Sequence, residues 1–282
     1  MIAPLDLATI EPLLRRALDE DLGAVGDITS ASMIAIDRRV HAVMRARVAG
    51  ILAGGSAAAH VFRLLDPAAS ITMMLHDGAS LAPGDAILSI DADARAVLAA
   101  ERTALNCVSH LSGIATQTRR MVDLVAGTRA RVCCTRKTNP GLRLLEKYAV
   151  RCGGGENHRS GLYDAMLVKD NHIAIAGGIR IAAEKALAAR GPGIRVEVEV
   201  DRLAQLEEIL DLPLDAILLD NMPVDQLRRC VDLVAGRYVT EASGGITAAN
   251  IRAIAECGVD VISIGWLTHS APALDIALDI DV

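Results

Sequence analysis

The sequence predicts an α/β protein in which a closed or nearly closed parallel β/α barrel follows an α+β unit. Three observations carry that expectation. After Gly113, helical spacing alternates with short β-branched runs at 131–135, 165–168, 196–200, 216–219, 238–242 and 261–264, the rhythm of parallel strands joined by crossover helices. Each run is followed by polar residues or glycine: Arg136-Lys137, Lys169-Asp170, Asp201, Asp220-Asn221, Ser243-Gly244-Gly245 and Gly265. Barrels gather ligands at the C-terminal ends of their strands, whereas an open doubly wound sheet does so only near its switch point, so chemistry at every strand end favours a barrel. Finding six such runs rather than eight allows the barrel to be incomplete, and 282 residues at 52% hydrophobic content can bury a core of that size.

Taken in order, Leu5, Leu7, Ile10, Leu13, Leu14 and Leu18 fall at amphipathic-helix spacing. Acidic residues stand where a signal-peptide cleavage pattern would be, so this helix is expected to stay on the mature protein. Runs at 40–48, 71–75 and 86–90, with the turn Leu81-Ala82-Pro83-Gly84-Asp85, read as an antiparallel unit. The most apolar stretch, 48–62, is rich in Gly and Ala and contains Ser56 and His60. It falls short of the ~20 residues that span a bilayer, so no membrane segment is expected. From Asp93 a long linking helix is predicted, with Asp91 or Asp93 as its N-cap and Ser112-Gly113 as a break.

Composition narrows the function. A net charge of -6 opposes long-range attraction to nucleic acid or an anionic membrane, and with only Phe62, Tyr148, Tyr163, Tyr238 and Trp266 aromatic there are few platforms for stacking bases. The six cysteines lack paired C-x₂-C spacing, and a chain this long needs no disulfide staples, so they read as reduced thiols of a cytoplasmic protein.

Against that acidic background a basic cluster stands out. Arg136, Lys137, His158, Arg159, Lys169 and His172 lie at strand ends or in the loops that follow. Two unit positive charges 4 Å apart repel by roughly 4 kcal/mol at an effective dielectric near 20, so a shared pocket implies an anion to fill it. Arginine suits carboxylate and phosphate as a bidentate fork, lysine as a compact charge. Glu199 and Asp220 are the matching acids, suited to Mg²⁺ directly or through water, or to ribose hydroxyls. Glu197 and Asp201 compete with Glu199 for that role. The turn 243–247 offers close backbone approach, and a helix beginning near Thr247 would add N–H groups for phosphate. Gly153-Gly154-Gly155 precedes a strand, so it is no dinucleotide fingerprint. Cys133 and Cys134 read as packing residues on opposite faces of one strand.

The motifs Glu101-Arg-Thr-Ala-Leu-Asn106, Thr135-Arg-Lys-Thr138, Asn157-His-Arg159, Lys169-Asp-Asn-His172, Glu197-Val-Glu-Val-Asp201, Leu218-Leu-Asp-Asn221 and Leu267-Thr-His-Ser270 resemble the quinolinate phosphoribosyltransferase family over nearly the whole chain. The resemblance implies an N-terminal α+β sandwich-like domain at 1–112, an incomplete parallel α/β barrel at 113–266, and a final segment, 267–282, returning to the first domain. It also implies a Mg²⁺-dependent homodimer that joins quinolinate to phosphoribosyl pyrophosphate and decarboxylates it. Carried over by motif, Arg136, His158, Arg159 and Lys169 would bind the quinolinate carboxylates, with Arg102 supplied by the neighbouring subunit. Lys137, Glu199, Asp220, Ser243, Gly244, Gly245, Gly265 and His269 would hold phosphoribosyl pyrophosphate. Lys137, Lys169, Glu199 and Asp220 would be the catalytic set, with Glu199 and Asp220 the metal ligands. Cys134 and Trp266 depart from the family pattern. A related transferase for another pyridine carboxylate, one of the molybdenum-transport-associated branch, or a non-catalytic anion-binding barrel are the alternatives.

Overall fold

The computed structural model describes residues 2–281, apart from the side chain of Asp281. Contacts divide the chain into two compact units: the described residues of Met1–Arg119, Asn139–Gly154 and Ser270–Val282, and those of Arg120–Thr138 and Gly155–His269.

In the first unit, α1 (Leu7–Leu22) starts where the Asp6 side chain accepts the Ala8 N–H, and it buries Ile10, Leu14 and Leu18, one turn apart on the predicted face. There follow α2 (Ile28–Met33), capped by Asp27, β1 (Arg39–Ala46), β2 (Gly50–Ile51), α3 (Gly55–Leu65), β3 (Ser70–Met73), β4 (Ser80–Leu81) and β5 (Ala86–Asp93). The linking helix α4 (Ala94–Leu124) runs 31 residues, with Asp93 accepting the Ala96 N–H at its start.

The expected break at Ser112-Gly113 is absent, and packing explains both residues. Ser112 Oγ accepts the Ala53 N–H at 3.0 Å and donates to the Ala53 carbonyl at 3.2 Å, joining the helix to the backbone before α3. A side chain at Gly113 would put its Cβ 2.1 Å from the Pro272 carbonyl oxygen, so glycine here permits close approach rather than ending the helix.

The second unit takes its strands in chain order: β6 (Arg131–Cys133), β7 (Met166–Val168), β8 (Val196–Val200), β9 (Ala216–Asp220), β10 (Val239–Ser243) and β11 (Val261–Ser263). Helix α5 (Arg143–Cys152), between β6 and β7, counts with the first unit. The others are α6 (Asp170–Ala176), α7 (Ile179–Ala189), α8 (Leu203–Glu207), α9 (Val224–Val234), α10 (Ile251–Ala255) and α11 (Trp266–His269). All strand pairs are parallel in the order β6-β11-β10-β9-β8-β7. The sheet is open between β6 and β7, where Glu156 forms a parallel bridge to Cys133, so the barrel is incomplete.

Alternation along the strands separates core from chemistry. On β8, Val196, Val198 and Val200 are at most 1% exposed and belong to one apolar cluster with Leu206, Leu227 and Ile251. Full burial of such side chains contributes roughly 1.5–3 kcal/mol each. The alternate residues, Glu197 and Glu199, take the opposite face. The chain ends with β12 (Ile276–Asp281), which pairs antiparallel with β1 in a four-stranded sheet ordered β12-β1-β5-β3. Among the described residues, no helix is long and apolar enough to cross a membrane.

Candidate active site

The inward faces of the parallel strands enclose a cavity of about 760 Å³. Its wall is built in two layers two residues apart, as strand alternation requires. The outer layer carries Lys169, Glu199, Asp220, Ser243 and Gly265; beneath it lie Leu167, Leu218, Glu241 and Ser263, one strand position pair deeper.

Opposite charges meet in the outer layer. Lys169 Nζ donates to Glu199 Oε2 at 2.9 Å, and the Asn221 side chain donates to Asp220 Oδ2 at 2.7 Å. His172 does not line the cavity; its Nδ1 accepts the Lys169 N–H at 2.9 Å and so fixes the start of α6. Of the competing acids, Asp201 is exposed and outside the cavity, and Glu199 is on its wall.

The loop after β6 is held from both sides. Thr135 Oγ1 accepts the Lys137 N–H at 3.0 Å, and the Lys137 carbonyl accepts from Thr268 Oγ1 at 2.7 Å. A Cβ on Gly265 would lie 2.8 Å from Lys137 Cδ, so the missing side chain makes room for the lysine stem. Arg159 Nη1 donates to the Ala165 carbonyl at 3.1 Å. Burial, and then the neighbouring Arg136 charge, push the Arg159 guanidinium below its ordinary value, the electrostatic strain expected where cations crowd a pocket.

After β10 the first helical turn starts at Thr247, whose carbonyl accepts the Ile251 N–H at 3.0 Å, ahead of the regular helix Ile251–Ala255; the Thr247 N–H itself is taken by Asn250 Oδ1 at 2.8 Å. The Gly244 backbone has φ +92°, and a Cβ there would be 2.1 Å from Asn221 Oδ1. This glycine is therefore required twice, by its dihedral and by its neighbour. Trp266 also lines the cavity, and its indole N–H donates to the Ile246 carbonyl at 2.8 Å, fastening the same turn. Cys134 is buried, with its thiol donating to Asn157 Oδ1.

At the deeper level, His158 Nδ1 accepts the Arg159 backbone N–H at 2.7 Å, so Nε2 carries the ring hydrogen and donates to Glu197 Oε2 at 3.0 Å. Glu241 Oε2 is 3.6 Å from the same nitrogen. Burial works against charge on His158, but the hydrogen bond to Glu197 and the Glu241 charge outweigh it and raise its pKa. Glu241 is 5% exposed. Its burial, followed by repulsion from Glu197, pushes its carboxyl up to about 7, with His158 offsetting part of the effect.

Thus Arg136, Lys137, His158, Arg159, Lys169, Glu199, Asp220, Ser243, Gly244, Gly245, Gly265 and His269 line one cavity. Arg102 is not among them: it sits on α4 in the first unit, in a separate cavity of about 330 Å³ with Glu20, Asp21 and His110. Sequence reasoning did not single out Glu241 or Ser263. The same two-residue step that relates Glu197 to Glu199 leads from Ser243 back to Glu241 and from Gly265 back to Ser263.

Comparison with known proteins gives a consistent result. Residues 27–112 match the quinolinate phosphoribosyl transferase N-terminal domain, and residues 114–279 match the C-terminal domain. A protein from Mycobacterium leprae named nicotinate-nucleotide pyrophosphorylase (carboxylating) is 43% identical over 285 residues, covering 99% of this chain and 100% of its own. A probable nicotinate-nucleotide pyrophosphorylase (carboxylating) from Bacillus subtilis is 43% identical over 96% of this chain and 93% of its own. The crystal structure of NadC from Streptococcus pyogenes superposes with a TM-score of 0.95 at 39% identity, covering 99% of both chains. Matched across both domains, this chain belongs to the quinolinate phosphoribosyltransferase family.

Proposed function

We propose that the chain transfers the phosphoribosyl group of phosphoribosyl pyrophosphate to quinolinate and decarboxylates it, giving nicotinate mononucleotide, pyrophosphate and carbon dioxide, a step of NAD biosynthesis. The observation that carries this reading is one cavity with Arg136, Arg159 and Lys169 on its wall beside Glu199 and Asp220. That combination suits a dicarboxylate and a sugar polyphosphate side by side. Arg136 and Arg159 present bidentate forks for carboxylates, and Lys169 adds a compact charge. His158 joins them by exchanging its hydrogen bond to Glu197 for one to the substrate.

Lys137, the Ser243-Gly244-Gly245 turn, Gly265 and His269 hold the phosphates. Glu199 and Asp220 grip the ribose and stabilise the positive charge that develops on it as pyrophosphate departs. Both are hard oxygen donors on one wall, and each has one carboxylate oxygen bonded by a protein donor, so they fit Mg²⁺. When bound, the ion supplies neutralisation of the leaving pyrophosphate. Holding the two reactants in line lowers the barrier by roughly 7–11 kcal/mol without a strong general base. Once the pyridine nitrogen is alkylated, its positive charge stabilises the electron pair left when the adjacent carboxylate departs, so decarboxylation follows ribosylation.

The active unit is a cytoplasmic homodimer in which Arg102 of one subunit completes the other's site. The test supplies quinolinate or nicotinate separately, each with phosphoribosyl pyrophosphate and Mg²⁺. Mononucleotide and carbon dioxide from quinolinate alone are expected; turnover of nicotinate instead, or of neither, refutes the assignment.

A further inference from the structure

The turn after β10 cannot hold itself in place. Its two glycines, Gly244 and Gly245, take φ +92° and +60°, and without side chains neither can anchor to the barrel. A phosphate held by backbone N–H groups is bound only as firmly as the peptide planes that carry them.

Three side-chain hydrogen bonds supply the anchoring, and they form one directed series. Trp266 Nε1 donates to the Ile246 carbonyl at 2.8 Å. The peptide bearing that carbonyl also bears the Thr247 N–H, which donates to Asn250 Oδ1 at 2.8 Å. The same Asn250 amide donates from Nδ2 to the Gly245 carbonyl at 2.9 Å. The N–H of a planar trans peptide points away from its carbonyl, so the series ends on the Ile246 N–H, on the far side of the peptide from Asn250. Gly245 and Ile246 border the cavity and Asn250 does not, so that N–H is turned towards the cavity. An indole nitrogen can only donate, and Trp266 at the head therefore sets the sense of every link. Hydrogen bonds arranged donor to acceptor in this way polarise one another, which makes the last N–H a stronger donor as well as an oriented one.

Resting on the transferase reading given above, we propose that Trp266 is a positioning residue for phosphoribosyl pyrophosphate. Through Ile246 and Asn250 it holds the 243–247 turn in the setting whose N–H groups meet a phosphate. It touches no reacting atom, so it raises affinity for this one substrate and leaves the chemical step and the quinolinate end unchanged.

The experiment compares wild type, Trp266→Phe, Asn250→Ala and the double variant, each as the full chain with Mg²⁺, by steady-state kinetics and by direct titration with phosphoribosyl pyrophosphate. Trp266→Phe keeps an aromatic ring and removes the indole donor. Its KM for phosphoribosyl pyrophosphate should rise about fivefold, the size of one neutral hydrogen bond, with kcat and the KM for quinolinate within about twofold of wild type. Asn250→Ala should behave alike, and the double variant should bind no worse than the weaker single variant, because both residues act on one series. Trp266 is the only tryptophan of the chain, so its emission reports binding without turnover. In Asn250→Ala the emission change should require about fivefold more phosphoribosyl pyrophosphate than in wild type, and this titration decides the matter if Trp266→Phe does not fold. A wild-type KM for phosphoribosyl pyrophosphate in either single variant, effects that multiply in the double variant, an equal rise in the KM for quinolinate, or wild-type emission that ignores the substrate would overturn the inference. Wild type that neither binds phosphoribosyl pyrophosphate nor turns over quinolinate would instead overturn the transferase reading.

Discussion

Replacing Glu241 by glutamine should flatten the dependence of folding stability on pH. In the folded chain, burial and the nearby Glu197 hold the Glu241 carboxyl up to about 7, against 4.5 for the free group. The folded state thus keeps a proton that the unfolded chain releases. The resulting stabilisation is fully present below 4.5 and is lost as pH rises through about 7. At about 1.4 kcal/mol per tenfold difference in proton affinity, the full amplitude is about 3 kcal/mol. Glutamine keeps the shape and never titrates. Urea denaturation of both proteins at pH 5 and pH 8.5, at one protein concentration, should show the variant gaining roughly 2–3 kcal/mol relative to wild type at the higher pH. Stability curves that run parallel across this range would refute the claim that burial and Glu197 raise the Glu241 carboxyl in the folded protein.

Lys137→Ala should keep the fold, since the side chain is exposed, and lose turnover by roughly a hundredfold or more; unchanged turnover would remove Lys137 from the mechanism. Mixing inactive Arg102→Ala subunits with inactive Lys137→Ala subunits should restore activity, because one hybrid site then has both groups intact; no recovery would refute the shared site. Gly244→Ala should destabilise the fold by about 1–3 kcal/mol through its positive φ, measured by thermal or urea unfolding. It should also raise the KM for phosphoribosyl pyrophosphate, since Asn221 must move aside; a wild-type KM would contradict that turn's role.

Much of the architecture is legible because two periodicities dominate. The three-to-four residue spacing of Ile10, Leu14 and Leu18 marks α1, and the alternation of Glu197 and Glu199 with Val196, Val198 and Val200 marks β8 and assigns its two faces. Strand ends announce the outer layer of the cavity because polar residues and glycine interrupt apolar runs there. Gly113 misleads for a physical reason: local propensity treats it as a helix breaker, while its requirement comes from Pro272, distant in sequence. The helical turn expected near Thr247 is there, since the Thr247 carbonyl accepts the Ile251 N–H, but Asn250 captures the N–H of Thr247 itself. Glu241 and Ser263 are hidden inside apolar strands, where only the two-residue step from their neighbours reveals that they face the cavity. Arg102 lies beyond any spacing argument, since its expected role needs a second copy of the chain.

The location of bound quinolinate tests the central claim most directly. A crystal structure of the protein soaked with quinolinate should show its two carboxylates against Arg136, Arg159 and Lys169, with room beside it towards Glu199 and Asp220. Quinolinate found elsewhere, or those side chains facing separate regions of solvent, would contradict the account.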